Sequence, residues 1–136
     1  MQSIGRPNYY LNRNIFREHS VWGTPFLDER SDIRESSNLI IHAHNMRNFR
    51  MFGALEQYRN RVFLENNRIV ELITFDGIFN FEIIEVVTMD VSNPNIHNYY
   101  NPNRQSADGN RILTLSTCEY STPNGRLMVI AELEGS

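Results

Sequence analysis

The chain has 136 residues and a mass of 16.0 kDa, which favours a single globular domain with a buried core. Its formal charge of −3 at pH 7 gives no basic surface of the kind that binds nucleic acid, so we expect no nucleic-acid partner. No apolar run approaches the roughly 18–20 residues that span a membrane, and a single cysteine excludes an internal disulfide.

The first half of the chain consists of short apolar segments bounded by turn residues. Residues 1–16 are polar and aromatic and predict at most a short helix after Pro7. The runs at residues 23–30 and 37–44 predict strands. Apolar side chains then recur at helical spacing and predict a short amphipathic helix over residues 51–58.

The second half predicts strands almost throughout. Two runs rich in β-branched and aromatic residues flank Asp76–Gly77 and give the clearest hairpin signal. Residues 93–110 are rich in Asn, Pro and Gly and predict a loop, and residues 111–118 and 125–133 predict two more strands. Many short strands with one or two short helices predict an all-β, mainly β fold, as a barrel or compact β domain.

Cys118 is the only cysteine and lies at the end of a predicted buried strand. A cysteine nucleophile acts as a thiolate, and a neighbouring imidazolium lowers the thiol pKa, so catalysis would require a histidine partner. His42 and His44 end a predicted strand and, being two apart, project from the same face. His19 and His97 lie in loop-like surroundings. Taken singly, a buried cysteine or a strand-end histidine is more often structural than catalytic.

Other kinds of site receive no support from the sequence. His42 and His44 lack carboxylates or thiolates at the spacing of metal ligands. Neither a glycine-rich phosphate loop nor a Gly-x-Ser-x-Gly elbow is present. Arg126, taken alone, predicts only a solvated strand residue. We therefore expect no metal and no cofactor.

An ordered set of motifs changes this interpretation. The stretch TLSTC (114–118), then a turn and GRLMVIAEL (125–133), with NLIIHAHNM (38–46) and MFGAL (51–55) upstream, resembles the sortases. These are the Gram-positive cell-surface cysteine transpeptidases, whose signature is a Thr-Leu-x-Thr-Cys strand end, an Arg on the next strand and a His shortly before a helix. YYLNRN, GTPFLDER and HNMRNFRMFGALEQY most resemble class B members. The resemblance extends from about Asn8 to Leu133 and implies a closed β-barrel with one or two short helices.

The sequence departs from the class B pattern in three places. Where that class usually has Tyr-Gly-His, this chain has His42-Ala43-His44. His44 takes the catalytic position because it directly precedes Asn45-Met46, and His42 takes the aromatic position beside the site. The connection over residues 87–111 is short for class B, which typically inserts a helix there. The N-terminal helices, the anchor and the first barrel strands also fail to match, so we expect residues 1–136 to be a single, trimmed or incomplete catalytic domain.

The resemblance implies a function. Cys118 attacks the threonine carbonyl of an Asn-Pro-x-Thr type sorting motif, His44 is the acid/base, and Arg126 stabilises the oxyanion. Substrate-binding residues are expected at Ser116, Thr117, Glu119, His42 and Asn45. The implied partners are the sorting-motif peptide of a secreted protein and the amine of peptidoglycan or its lipid-linked precursor. We expect a monomer at the extracellular face of a Gram-positive cell membrane, held by an N-terminal anchor.

Three alternatives stay open. A sortase of another class, for pilus assembly or housekeeping and with a different motif, is favoured by the short 87–111 connection but opposed by the HNM and MF motifs. A non-catalytic sortase-like barrel that binds peptides is favoured by Ala43 and the unmatched N-terminal strands. A plain β domain with a buried cysteine would require the whole ordered motif set to be a coincidence.

Overall fold

A computed structural model describes residues 2, 16, 25–43, 52–119 and 124–134, and for residues 52–54, 118 and 119 it describes the backbone only. Its strands are β1 (Phe26–Leu27), β2 (Asn38–His42), β3 (Ile69–Thr74), β4 (Gly77–Asp90), β5 (Ile112–Glu119) and β6 (Gly125–Leu133). Its helices are a 3₁₀ helix (Phe52–Arg59), α1 (Arg61–Asn66) and α2 (Ile96–Tyr99).

The six strands form one curled sheet in the order β1-β2-β5-β6-β4-β3. β2 and β5 run parallel, whereas every other neighbouring pair is antiparallel. The sheet makes a half-barrel with few short helices, which confirms the mainly β prediction. β5 and β6 lie in the middle of this sheet, so the strands expected to carry Cys118 and Arg126 are its most protected part.

Both faces of the central strands are buried. On one face, Leu55 of the 3₁₀ helix packs with apolar side chains of the sheet, which include Leu39, Phe81, Ile83, Leu113, Leu115, Leu127 and Val129. The opposite face packs under α2 through Ile96, Ile112, Met128 and Ile130. Because β6 is covered on both sides, its run from Leu127 to Ala131 is continuously apolar rather than alternating.

The predicted hairpin is present, but its turn lies one residue earlier than the sequence suggests. Thr74 pairs with Gly77, so Phe75 and Asp76 form the two-residue loop and Gly77 begins β4. Gly77 has a φ of 134°, a backbone conformation that residues other than glycine rarely adopt. The glycine is therefore needed at the first residue of β4 and not within the two-residue turn.

Other predicted elements are confirmed with changed bounds, except that the predicted loop contains a helix. The helix predicted over residues 51–58 is the 3₁₀ helix Phe52–Arg59. The segment predicted as a loop, residues 93–110, contains α2, which buries Ile96 against the sheet. The predicted strand within residues 23–30 is only Phe26–Leu27. The predicted short helix after Pro7 lies outside the described residues.

Asn38 joins β2 to β5 and to the loop that follows α2. Its side chain is fully buried. Its Nδ2 donates to the carbonyl oxygens of Tyr99 at 2.9 Å and Asn101 at 3.0 Å, while its Oδ1 accepts from Thr114 Oγ1 at 2.7 Å. These bonds hold the backbone on both sides of Tyr100 against the sheet, so one buried amide fixes where the Tyr100 ring lies.

We expect Asn38→Ala to lower the free energy of unfolding by about 3 kcal/mol, because one buried and two part-buried hydrogen-bonding groups lose their partner. Urea unfolding followed by circular dichroism measures this. Asn98→Ala, at an exposed position of α2, is the control and should change the free energy by less than about 0.5 kcal/mol. Equal effects of the two substitutions would contradict the role given to Asn38.

Candidate functional site

The ladder between β5 and β6 brings Cys118 opposite Arg126. Their Cα atoms are register partners, and Glu119 is paired with Gly125 in the next position. The two strands were predicted from the sequence, and the structure adds their register. This register makes Cys118 and Arg126 direct neighbours across the ladder, although residues 119–125 separate them along the chain.

Tyr100 lies against this part of β5 and was not among the residues expected from the sequence. Its hydroxyl is 2.6 Å from Ser116 Oγ. Burial raises the pKa of Tyr100 above its ordinary value, although the Ser116 hydroxyl and the Arg126 guanidinium oppose the increase. Tyr100 is therefore a neutral phenol at neutral pH and can donate or accept a hydrogen bond.

Ser116 and Thr117 are both buried, at 1% and 2% exposure, and have partners within the protein. Thr117 Oγ1 donates to the carbonyl of Ala43 at 2.9 Å, and the Ala43 N–H donates to the carbonyl of Ser116 at 3.2 Å. These bonds fasten β5 to the end of β2. The expected contacts of Ser116 and Thr117 with substrate stay a prediction.

A buried carboxylate, Asp28, stands beside His42. Asp28 Oδ2 lies 2.7 Å from His42 Nε2, and the Arg30 guanidinium donates to both carboxylate oxygens at 2.8 Å. Burial acts to raise the pKa of Asp28, but the hydrogen bonds from Arg30 and His42 outweigh it and hold that pKa well below the usual carboxyl range. Asp28 is therefore an ionised acceptor, with Arg30 as its bidentate cation.

The His42 ring lies between two aromatic rings. Its centroid is 5.3 Å from that of Phe26 and 5.5 Å from that of Tyr100. His42 is also the register partner of Ser116 in the parallel β2–β5 pair. His42, Tyr100 and Ser116 thus form one cluster, on the face of the sheet that α2 covers.

The structure describes some of the predicted site residues and not others. His44 and Asn45 lie outside the described residues, and for Cys118 and Glu119 the backbone alone is described. Asp28, Arg30 and Tyr100 were not expected as site residues, because Asp28 contacts His42 and Tyr100 contacts Ser116 only once the fold brings these separate segments together. Within the described ranges, no cluster of three or more His, Cys, Asp or Glu suits a metal ion. Within the same ranges, no helix is long and apolar enough to cross a membrane.

Comparison with known proteins decides the family. The family model for the sortase domain matches residues 10–134. The chain belongs to the sortase family. It is 29% identical over 152 residues to sortase B of Staphylococcus aureus, an alignment that covers 95% of this chain. The chain spans 62% of the length of that curated relative.

Solved class B structures share the fold. The X-ray structure of Clostridium perfringens sortase B superposes with a TM-score of 0.82 at 27% identity, covering 98% of this chain and 86% of that one. A Staphylococcus aureus sortase B–substrate complex superposes with a TM-score of 0.79 at 25% identity, covering 97% and 72% of the respective chains. These likenesses confirm the class B resemblance of the sequence motifs.

We expect Asp28→Asn to lower the free energy of unfolding by about 1–3 kcal/mol at about pH 7, because Arg30 and His42 lose the charge they contact. The folded-state pKa of Asp28 is depressed, so its stabilisation is complete above the unfolded pKa of about 4 and declines as the pH falls toward the folded value. The difference in free energy of unfolding between wild type and variant should therefore become smaller as the pH falls from about 4 to about 2.5.

Urea unfolding at a series of pH values tests this dependence. Asp108→Asn, at an exposed loop position, is the matched control and should differ little from wild type at any pH. A deficit of Asp28→Asn that stays constant from about pH 7 to about pH 2.5 would show that the carboxylate charge is not what stabilises the cluster.

Proposed function

We propose that this chain is the catalytic domain of a cysteine transpeptidase that cleaves a sorting motif of the Asn-Pro-x-Thr type after Thr and joins it to a peptidoglycan amine. The observation that supports this best is the direct pairing of Cys118 with Arg126 across β5 and β6. Directly opposed residues of an antiparallel pair project from the same face, with Cβ atoms about 4.5–5.5 Å apart. A thiol nucleophile and a guanidinium at that separation can act on one carbonyl group.

The bonds between β5 and the end of β2 support a position for His44 near Cys118. Ala43 is hydrogen-bonded to Ser116 through its N–H and to Thr117 through its carbonyl. His44 is the residue after Ala43, and Cys118 is the residue after Thr117. His44 and Cys118 therefore each come directly after a residue that is hydrogen-bonded across the β2–β5 pair.

The first half-reaction forms a thioester. The Cys118 thiolate attacks the carbonyl carbon of the motif threonine, a C–S bond forms, and the carbonyl oxygen becomes an oxyanion that the Arg126 guanidinium stabilises. The C–N bond then breaks, and His44 gives its proton to the leaving amine. The threonine acyl group remains on sulfur.

The second half-reaction forms the new amide. An amine of peptidoglycan or its lipid-linked precursor attacks the thioester carbon and gives a proton to His44, and the C–S bond breaks to restore the thiolate. A peptide partner is supported by the substrate held in the Staphylococcus aureus sortase B complex. We assign peptide contacts to His42, Asn45, Ser116, Thr117 and Glu119. The same proposal has the protein act as a monomer at the outer face of the cell membrane.

Cleavage of quenched peptides tests the activity. With an Asn-Pro-x-Thr peptide and a small amine acceptor we expect cleavage, transfer to the amine and a thioacyl adduct on Cys118 detectable by mass spectrometry. Cys118→Ala should lower the rate by at least about 1,000-fold, because the nucleophile is lost. Preference for a Leu-Pro-x-Thr peptide would favour another sortase class, and absence of Cys118-dependent cleavage with every motif would leave only a binding role.

We expect Arg126→Ala to lower kcat by about 100–1,000-fold, the usual effect of removing an oxyanion donor, and Arg126→Lys to recover part of that loss. Arg61→Ala, which removes an exposed arginine paired with Glu65 on α1, is the control and should leave kcat unchanged. Steady-state kinetics on the same peptide give the measurement. A kcat of Arg126→Ala within about twofold of wild type would argue against an oxyanion role.

A further inference from the structure

The two ring nitrogens of His42 lie in different surroundings. Nε2 lies 2.7 Å from the carboxylate of Asp28, and a carboxylate only accepts hydrogen bonds, so Nε2 carries a proton. Asp28 already has a cation in contact, since Arg30 binds both of its oxygens. In the imidazole tautomer that carries its proton on Nε2, Nδ1 is a hydrogen-bond acceptor.

Nδ1 has no hydrogen-bond partner within the part of the chain that the structure describes. The His42 side chain is 22% exposed, and the Phe26 and Tyr100 rings flank it. Turning the ring by half a rotation about Cβ–Cγ would put Cε1 in place of Nε2 and break the bond to Asp28. The contact with Asp28 thus holds Nδ1 in one orientation, as a recognition group requires.

His42 also lies within reach of a peptide bound at Cys118. It is the register partner of Ser116, which precedes Cys118 by two residues and therefore lies about 7 Å from it along the strand. An extended peptide advances about 3.3 Å per residue, so a group two to four residues from the scissile carbonyl covers this distance. Asparagine is the residue of an Asn-Pro-x-Thr motif that offers a side-chain donor at such a separation.

We propose that His42 is a specificity-determining residue, whose Nδ1, oriented by the Asp28 contact, accepts a hydrogen bond from the carboxamide of the sorting motif. This inference rests on the proposed function for the nature of its ligand. It concerns a position where the chain departs from the aromatic residue of the class B pattern, because a Tyr hydroxyl at this place would both donate and accept, whereas this nitrogen only accepts.

Two substitutions separate the ring nitrogens. His42→Gln places an amide near the position of Nε2, where it can still contact Asp28, and leaves nothing at the position of Nδ1. His42→Asn places an amide near Nδ1 and gives up the contact with Asp28. His97→Gln, at an exposed position of α2, is the control for loss of a histidine.

The experiment measures peptide affinity in a Cys118→Ala background, so that no cleavage occurs. Fluorescence anisotropy compares an Asn-Pro-x-Thr peptide with the peptide in which Leu replaces Asn. With His42 intact we expect at least about a 10-fold preference for Asn, since a site built around a polar group rejects an analogue that leaves it unpaired. His42→Gln should reduce the ratio to about one to two, His42→Asn should keep part of it, and His97→Gln should not change it.

Three outcomes distinguish this inference from the proposed function. The inference is overturned if His42→Gln keeps the preference for the Asn peptide within about twofold of the parent. The function is still upheld in that case if the Cys118-containing chain cleaves the peptide. A preference that depends on His42, without Cys118-dependent cleavage, supports the inference and overturns the transpeptidase activity. Failure to bind either peptide overturns the inference, and it overturns the function as well if the Cys118-containing chain cleaves neither peptide. An independent check is the imidazole ¹⁵N spectrum, in which a proton on Nδ1 in the free protein, with or without one on Nε2, would also overturn the inference.

Discussion

The antiparallel ladder between β5 and β6 is the constraint on which the candidate site depends. A shift of one residue in a strand pair moves every side chain to the opposite face. Here both faces of the pair are buried, with Leu113 and Leu127 on one side and Ile112 and Met128 on the other, so a shifted register would disturb two apolar clusters at once. The hydrophobic packing that fixes the register also fixes Arg126 opposite Cys118.

Buried polar groups provide the second level of order, and each one reaches across elements. Asn38 joins two strands to the loop that carries Tyr100, and Asp28 joins the β1–β2 connection to His42. Hydrogen bonds of this kind add little net stability but are costly to leave unmade, so they select one arrangement among many with similar apolar burial. The apolar core thus sets the strand register, and these amides and carboxylates set the positions of the side chains around the site.

The sequence predicted the strands well and the contacts poorly. The alternation and turn residues gave the β3–β4 hairpin and the two final strands because these signals are local. Cys118 and Arg126 were chosen as candidates from their order in a family pattern, which records a tertiary arrangement that periodicity alone does not carry. The pairs Asp28–His42 and Tyr100–Ser116 were missed because nothing in either local sequence indicates its partner. The short helix α2 was missed because its Asn-rich and Pro-rich surroundings predict a loop, and burial of Ile96 overrides that preference.

The parallel pairing of β2 with β5 has a consequence for how the molecule is made. Thr117 and Ala43, whose hydrogen bond closes this pair, are separated by 74 residues, and between them lie the 3₁₀ helix, two α-helices and the β3–β4 hairpin. Contacts between distant segments require loop closure before they contribute energy, so structures rich in them fold slowly. During synthesis β2 emerges long before its partner strand, and the site can take shape only after the whole intervening segment has left the ribosome. The candidate site is therefore a late product of folding, and until β5 docks, β2 has no neighbour on that side.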